Sequence, residues 1–193
     1  SLLKDNDGII VLCYHRVLKD TVVTNFAYSI SHNSQLHEYN VFLQDFEQQM
    51  TFLKKNHIKV LTSSELIEKL NKKEVIGKAV VVTFDDIDKS LPENAYPIMK
   101  KLDLPFTQFI ITGKVGQTID GSQMSTWKEI KKMNENPLVT SGLHTNDLHY
   151  QENFEPILST NISKKVVQKD YQKSQKAFDE KLDQKGKVFA YPY

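Results

Sequence analysis

At 193 residues, 39% of them hydrophobic, the chain is sized for one domain with a real core. Its 25 Lys+Arg against 24 Asp+Glu leave it close to neutral, so charge makes no case for a nucleic-acid or anionic-membrane partner. A single cysteine, Cys13, excludes an internal disulfide, and no apolar run is long enough to span a bilayer.

Ile9 to Tyr14 is a continuous apolar run, which reads as a buried strand with Cys13 as a buried thiol. The strand ends in His15 and Arg16, the latter being the chain's sole arginine. His15 reads either as a core histidine or as a residue at a site mouth. Lys19 to Tyr39 lacks clean periodicity and is expected to be a long loop or irregular hairpin, with His32 and His37 as solvated loop residues. From Val41 to Asn56, Phe42, Phe46, Met50 and Leu53 recur at helical spacing, predicting an amphipathic helix whose stripe is core. Ile58 to Leu61 is a short strand, and Thr62 with Glu65 forms the capping box of the next helix.

Ala79 to Phe84 then forms a Val-rich run, the signature of a buried parallel strand, and it leads into Asp85 and Asp86. In α/β folds ligands sit at the carboxyl ends of such strands. Side chains alternate faces along a strand, so one carboxylate can hold a metal while its neighbour faces the reacting atom. Taken alone, the pair reads equally well as the start of a turn or a helix cap. A helix over Pro92–Lys101 requires Pro97 to lie near its first turn. Pro105 to Ile111 is another strand, Gly113 to Gly121 a loop, and Thr126 with Glu129 caps a helix bearing Trp127, Ile130 and Met133. Leu138 to Leu143 is a strand and Gln151 to Thr160 a polar loop. A long helix over Asn161–Gln184 has a thin stripe of Val166, Val167, Phe178 and Leu182 and an otherwise solvated charged face. Lys187 to Tyr193 reads as a last strand. Strands alternating with helices argue for a parallel sheet with helices outside it.

His144 and His149 follow the Leu138–Leu143 strand. Five residues apart, they diverge by roughly 140° on a helix and point to opposite faces on a strand. They converge only on a turn, which the intervening Thr145, Asn146 and Asp147 favour. Two histidines and one carboxylate at strand ends form a recurrent divalent-metal constellation.

Together, Thr83-Phe84-Asp85-Asp86, His144-Thr145 with His149, and Ala190-Tyr191-Pro192-Tyr193 resemble the first three motifs of the NodB-type polysaccharide deacetylases, carbohydrate esterase family 4. The five-residue histidine spacing resembles the branch that de-N-acetylates poly-β-1,6-N-acetylglucosamine. Tyr14-His15-Arg16-Val17, Glu93 to Pro97 and Phe109 to Gly113 extend the likeness over most of the chain. The resemblance implies an α/β fold, a distorted (β/α) barrel with its site at the strand carboxyl ends. It implies Asp85 as general base and Asp86, His144 and His149 as ligands of a divalent metal, zinc by default, with cobalt, nickel or iron as alternatives. It places Tyr193 in the segment whose backbone N–H faces the oxyanion. The partner implied is an N-acetylglucosamine-containing polysaccharide outside the cell or at its surface. Peptidoglycan or chitin oligomers are the alternative substrates, and a carbohydrate-binding protein with a degenerate site is the alternative class.

The chain departs from the family pattern in three ways, one being a strand count short by one or two for a closed barrel. The third motif lacks its usual arginine, so Arg16 is expected to take over support of Asp85 through two parallel hydrogen bonds; the alternative is an exposed arginine at a strand end. The later motifs, including a histidine general acid, do not occur before Tyr193. Residues 1–193 are therefore expected to be one NodB-type domain incomplete at its C-terminus.

Overall fold

A computed structural model of the protein describes residues 8–21, 39–74, 76–119 and 121–193. His32 and His37 lie outside them. In chain order the strands are β1 (Gly8–Tyr14), β2 (Arg16–Leu18), β3 (Asn40–Phe42), β4 (Lys59–Leu61), β5 (Lys78–Asp86), β6 (Phe106–Ile110), β7 (Thr118–Ile119), β8 (Ser122–Gln123), β9 (Val139–Leu143), β10 (Gln151–Glu152) and β11 (Glu155–Pro156). The helices are α1 (Leu43–Lys55), α2 (Ser63–Asn71), α3 (Tyr96–Lys101), α4 (Trp127–Asn134) and α5 (Lys164–Leu182).

The main sheet is parallel throughout, in the order β1-β5-β6-β9, with β4 also against β5. A strand has two hydrogen-bonding edges. β1 takes one edge of β5 along Lys78–Phe84, so β4 and β6 divide the other, at Ala79–Val81 and Thr83–Asp86 respectively. This makes β5 the centre of the molecule, as its unbroken apolar run predicts. Its Phe84 is fully buried, with the rings of Tyr14, Phe46 and Phe106 at centroid distances of 5.6, 5.7 and 5.3 Å.

α1 contributes Phe46, Met50 and Leu53 to the core, and α4 contributes Ile130 and Met133. Both sequence-read capping boxes form: Thr62 and Thr126 each accept from the backbone N–H of the glutamate three residues on, which reaches back to the cap. Pro97 is accommodated because α3 starts only one residue before it, behind a wide π-turn at Leu91–Ala95. Proline has no N–H to donate to an i−4 carbonyl, so an ordinary α-turn cannot close there.

Several expectations need correction. β1 is a strand but not a buried one: among the described residues it pairs only with β5, and Ile10 and Val11 are 61% and 56% exposed. Cys13 is exposed rather than buried. Phe42 belongs to β3, ahead of α1. Within the Gly113–Gly121 loop, Thr118–Ile119 pairs antiparallel with Ser122–Gln123 just beyond it, and the polar loop after Tyr150 contains a second short antiparallel pairing. Lys187 to Tyr193 does not form a strand; it runs beside β9 and makes one parallel bridge, Leu143 to Phe189. On α5 the inward row is Asp170, Ser174, Phe178 and Leu182, while Val166 is exposed. No described helix is long and apolar enough to cross a membrane.

Candidate metal centre and active site

The sheet register brings the site to one level. Tyr14 lies opposite Phe84, Asp86 opposite Ile110, Ile110 opposite Leu143 and Leu143 opposite Phe189. The residues that follow on β1 and β9, His15 and His144, therefore emerge beside the aspartate pair, at the carboxyl edge where α/β folds place their ligands.

Asp85 and Asp86 end β5. The backbone at Asp86 and Ile87 is left-handed, with φ of 68° and 60°. A β-branched residue rarely adopts this conformation, and such strain concentrates at functional sites. Here the turn is held by an Ile87 N–H to Asp85 carbonyl bond of 2.8 Å, by the Ser125 N–H on the Ile87 carbonyl, and by burial of the Ile87 side chain.

Asp86 Oδ1 lies 3.3 Å from His144 Nε2 and 3.1 Å from His149 Nε2. All three ligand atoms lie within 4.8 Å of one another. Ligand atoms around a tetrahedral zinc are separated by about 3.3–3.6 Å, given metal–ligand bonds near 2.0–2.3 Å. Asp86 Oδ1 is buried, yet neither imidazole gives it a hydrogen bond of acceptable geometry. A buried acceptor faced by two ring nitrogens without a hydrogen bond is what a cation between the three would produce, so the residues fit a divalent metal. His144 Nδ1 is 2.9 Å from the Ala190 carbonyl. Donation there leaves Nε2 free as a ligand, the usual outer-partner arrangement at metal sites. Burial pushes the Asp86 carboxyl up, but the two imidazoles outweigh it and hold it well below the usual carboxylate range. Burial lowers the His144 pKa, and Asp86 and Asp85 more than reverse the effect.

The histidines converge because the chain between them is a tied turn. Thr145 has φ of 69°. The Asp170 carboxylate on α5 accepts the backbone N–H groups of Asn146 at 2.8 Å and Asp147 at 2.7 Å. From the other side, the Gly113 N–H donates to the Asn146 carbonyl at 2.9 Å and the Thr112 N–H to the Thr145 carbonyl at 3.1 Å. A Cβ on Gly113 would overlap the Asn146 carbonyl oxygen, so glycine is required at that approach. Asp170 was hidden in the Lys- and Gln-rich run of α5. The signal that could have found it is its i, i+4, i+8, i+12 spacing with Ser174, Phe178 and Leu182. Asp170→Asn, which keeps shape but removes charge and one acceptor, is expected to weaken metal binding by about 10–100-fold. Equilibrium dialysis against zinc measures this, and unchanged affinity would show that the turn holds itself.

Around this group lies a cleft of about 410 Å³ that also includes Cys13, His15, Arg16, Asp85, Lys114 and Tyr193. Ligand sites run from about 300 to 1,000 Å³, so there is room for a substrate residue and not an ion alone. The Cys13 thiol donates to Asp85 Oδ2 at 3.4 Å, and His144 Nε2 is 3.9 Å from the same oxygen. Burial and then Asp85 push the Cys13 thiol up to about 12, so it stays a donor. The His15 ring lies against that of Tyr39 at a centroid distance of 4.7 Å and a tilt of 54°, and burial pulls its pKa down against the pull of Asp86 and Asp85. The Tyr193 ring lies 4.9 Å from that of His149, and its backbone is left-handed, with φ of 66°.

Arg16 lines the cleft but its ion pair is with Asp88, Nε to Oδ2 3.5 Å, and not with Asp85. The reason is topological: β2, which carries Arg16, leaves the main sheet to pair with β3. Asp88 is buried and also accepts from the Ser90 N–H, while Ser90 Oγ accepts from the Val17 N–H at 2.9 Å. Arg16 thus fastens the turn after β5 to the strand after β1, and the contact expected of it at Asp85 is made by Cys13.

The polysaccharide deacetylase family profile matches residues 72–193. A poly-β-1,6-N-acetyl-D-glucosamine N-deacetylase of Staphylococcus aureus (strain MSSA476) is 36% identical over 191 residues, 98% of this chain and 66% of that protein. The chain therefore spans just under two thirds of the length of that relative. The Staphylococcus epidermidis protein of the same name is 30% identical, over 100% of this chain and 67% of its own. The structure of IcaB from Ammonifex degensii superposes with a TM-score of 0.83 at 34% identity, covering 97% of this chain and 75% of that one. Fold, strand-end residues and sequence agree, and the chain belongs to the polysaccharide deacetylase family.

Proposed function

We propose that this chain carries the catalytic site of a metal-dependent N-deacetylase acting on poly-β-1,6-N-acetylglucosamine outside the cell. The observation that carries the reading is the convergence of Asp86, His144 and His149 around an acceptor that makes no hydrogen bond, with the Asp85 carboxylate beside it in one cleft. The names of the Staphylococcus relatives support the choice of polymer. The domain assignment of residues 1–193 to a single NodB-type unit is part of the same reading.

Asp86, His144 and His149 would hold the metal, which when bound polarises the acetamide carbonyl and acidifies water. Two imidazoles and a carboxylate suit zinc, and also cobalt, nickel or iron. Asp85 takes a proton from the attacking water as its oxygen bonds to the carbonyl carbon. The backbone N–H of Tyr193 is assigned to the developing oxyanion, where a fixed donor acts most strongly. The amine must leave protonated, because an amide anion is too basic to expel. Among the described residues His15 is the one histidine lining the cleft outside the metal group, so it is assigned to give nitrogen its proton as the carbon–nitrogen bond breaks. Acetate and the free amino sugar result.

His15→Gln is expected to cut turnover by about 10²–10⁴-fold with the metal at the Asp86, His144 and His149 group unchanged. Normal turnover would remove His15 from the mechanism. The polymer is tested by acetate release from β-1,6-linked N-acetylglucosamine oligomers beside chitin oligomers and peptidoglycan. Release from the first alone is expected, and preference for either of the others would reassign the substrate. A protein that binds the oligomers without releasing acetate and holds no metal would place it with carbohydrate-binding modules.

A further inference from the structure

Beside the Asp86 group lies a second convergence of ligand atoms, whose thiol the proposed chemistry does not use. One atom each from Cys13, His15 and Asp85 lies within 4.8 Å of the other two. The Cys13 Sγ to Asp85 Oδ2 separation is 3.4 Å. That is already close to the spacing of about 3.6 Å that a sulfur and an oxygen adopt on a tetrahedral zinc. The three are placed by the sheet: Cys13 and Asp85 sit on the neighbouring strands β1 and β5, and His15 directly follows β1, its ring in tilted contact with Tyr39. Cys13 is exposed to the cleft, so a cation arriving from solvent can reach it.

We propose that Cys13, His15 and Asp85 form a second cation site, for thiophilic divalent metals of the zinc and cadmium class, whose occupation arrests the enzyme. The donor set decides the class of ion. Sulfur, imidazole and carboxylate favour zinc and cadmium over magnesium and calcium, which prefer oxygen. The Asp86 group has no sulfur, so the softer the metal, the more the second site gains over the first. Binding exchanges one proton for the cation: Cys–SH and M²⁺ give Cys–S–M⁺ and H⁺, the proton passing to water. Inhibition, unlike binding, rests on the assignment of Asp85 and His15 as base and proton donor, because the ion would occupy both at once. Excess of the metal that activates the enzyme through one site would then switch it off through the other.

Cys13 is the only cysteine of the chain, so a sulfur-to-metal charge-transfer band reports this site and no other. The metal-free protein is titrated with cadmium, following bound metal by dialysis and the ultraviolet band together. Two equivalents and one saturating band are expected for the parent. Cys13→Ser should keep one equivalent, which also shows that it is folded, and lose the band. His149→Ala should do the reverse, keeping the band while losing the other equivalent. Alkylating Cys13 in the folded parent gives the same loss as Cys13→Ser without a substitution. A parent without the band, or a Cys13→Ser protein that still binds two equivalents with unchanged affinities, overturns the site. If His149→Ala keeps both equivalents while Cys13→Ser loses one, the second site stands and the assignment of the first fails. In turnover assays, each protein normalised to its own uninhibited rate, the zinc concentration for half-inhibition should rise about tenfold or more in Cys13→Ser. Coincident inhibition curves would overturn the regulatory role.

Discussion

Asp85→Asn is expected to lower turnover by about 10²–10⁴-fold while leaving the metal at the Asp86, His144 and His149 group at the parental level. The amide keeps the shape of the carboxylate, so the end of β5 and its left-handed turn are undisturbed. What is lost is the group proposed to receive a proton from water. The Cys13 thiol, which donates to Asp85 Oδ2, can still donate to the amide oxygen, so the side chain stays in place. Metal analysis beside steady-state rates distinguishes this from its converse. Loss of metal in Asp85→Asn but not in Asp86→Asn would exchange the roles of the two aspartates.

The second large effect concerns His144. His144→Ala is expected to lower metal affinity by more than the about 10–100-fold that losing an outer hydrogen-bond partner costs, and to lower turnover with it. His144 is 1% exposed and bridges three parts of the site: Asp86 through Nε2, Asp85 at 3.9 Å, and the Ala190 carbonyl through Nδ1. Truncation leaves a buried carboxylate oxygen facing a hole and frees the Ala190 carbonyl. The Ala190 carbonyl then lacks its side-chain partner, and such an orphan costs about 1–3 kcal/mol. Reduced thermal stability in the metal-free state is therefore expected as well. Elemental analysis giving parental metal content would refute the ligand assignment.

Much of the fold is legible in the sequence because its strongest signals are local. The Val-rich run of β5, the two capping boxes and the stripe of α1 depend on residues within one element. The candidate metal group is legible for a similar reason: Asp86 ends a strand, and His144 and His149 can converge only on a turn. What the sequence does not carry is which strands are neighbours. Without the pairing of β1 with β5, nothing says that His15 comes level with Asp85, or that Cys13 faces Asp85 rather than the core. Arg16 looked free to reach Asp85 because β2 could not be told apart from the main sheet; its pairing with β3 carries the guanidinium to Asp88 instead. The spacing of Asp170 with Ser174, Phe178 and Leu182 marks it as inward-facing, but not what it holds, because its partners are backbone N–H groups, which have no residue-type signature. The exposure of Ile10 and Val11 follows from sheet order too, since an apolar run reads the same at an edge as at a centre.

The central claim is that Asp86, His144 and His149 hold a metal on which deacetylation depends. The most direct measurement follows acetate release from a β-1,6-linked N-acetylglucosamine oligomer through chelation and stoichiometric readdition of zinc, cobalt or nickel, with bound metal counted at each step. One equivalent at this group, loss of activity on its removal and recovery on its return are predicted. Full acetate release from protein shown to be free of metal would contradict the account.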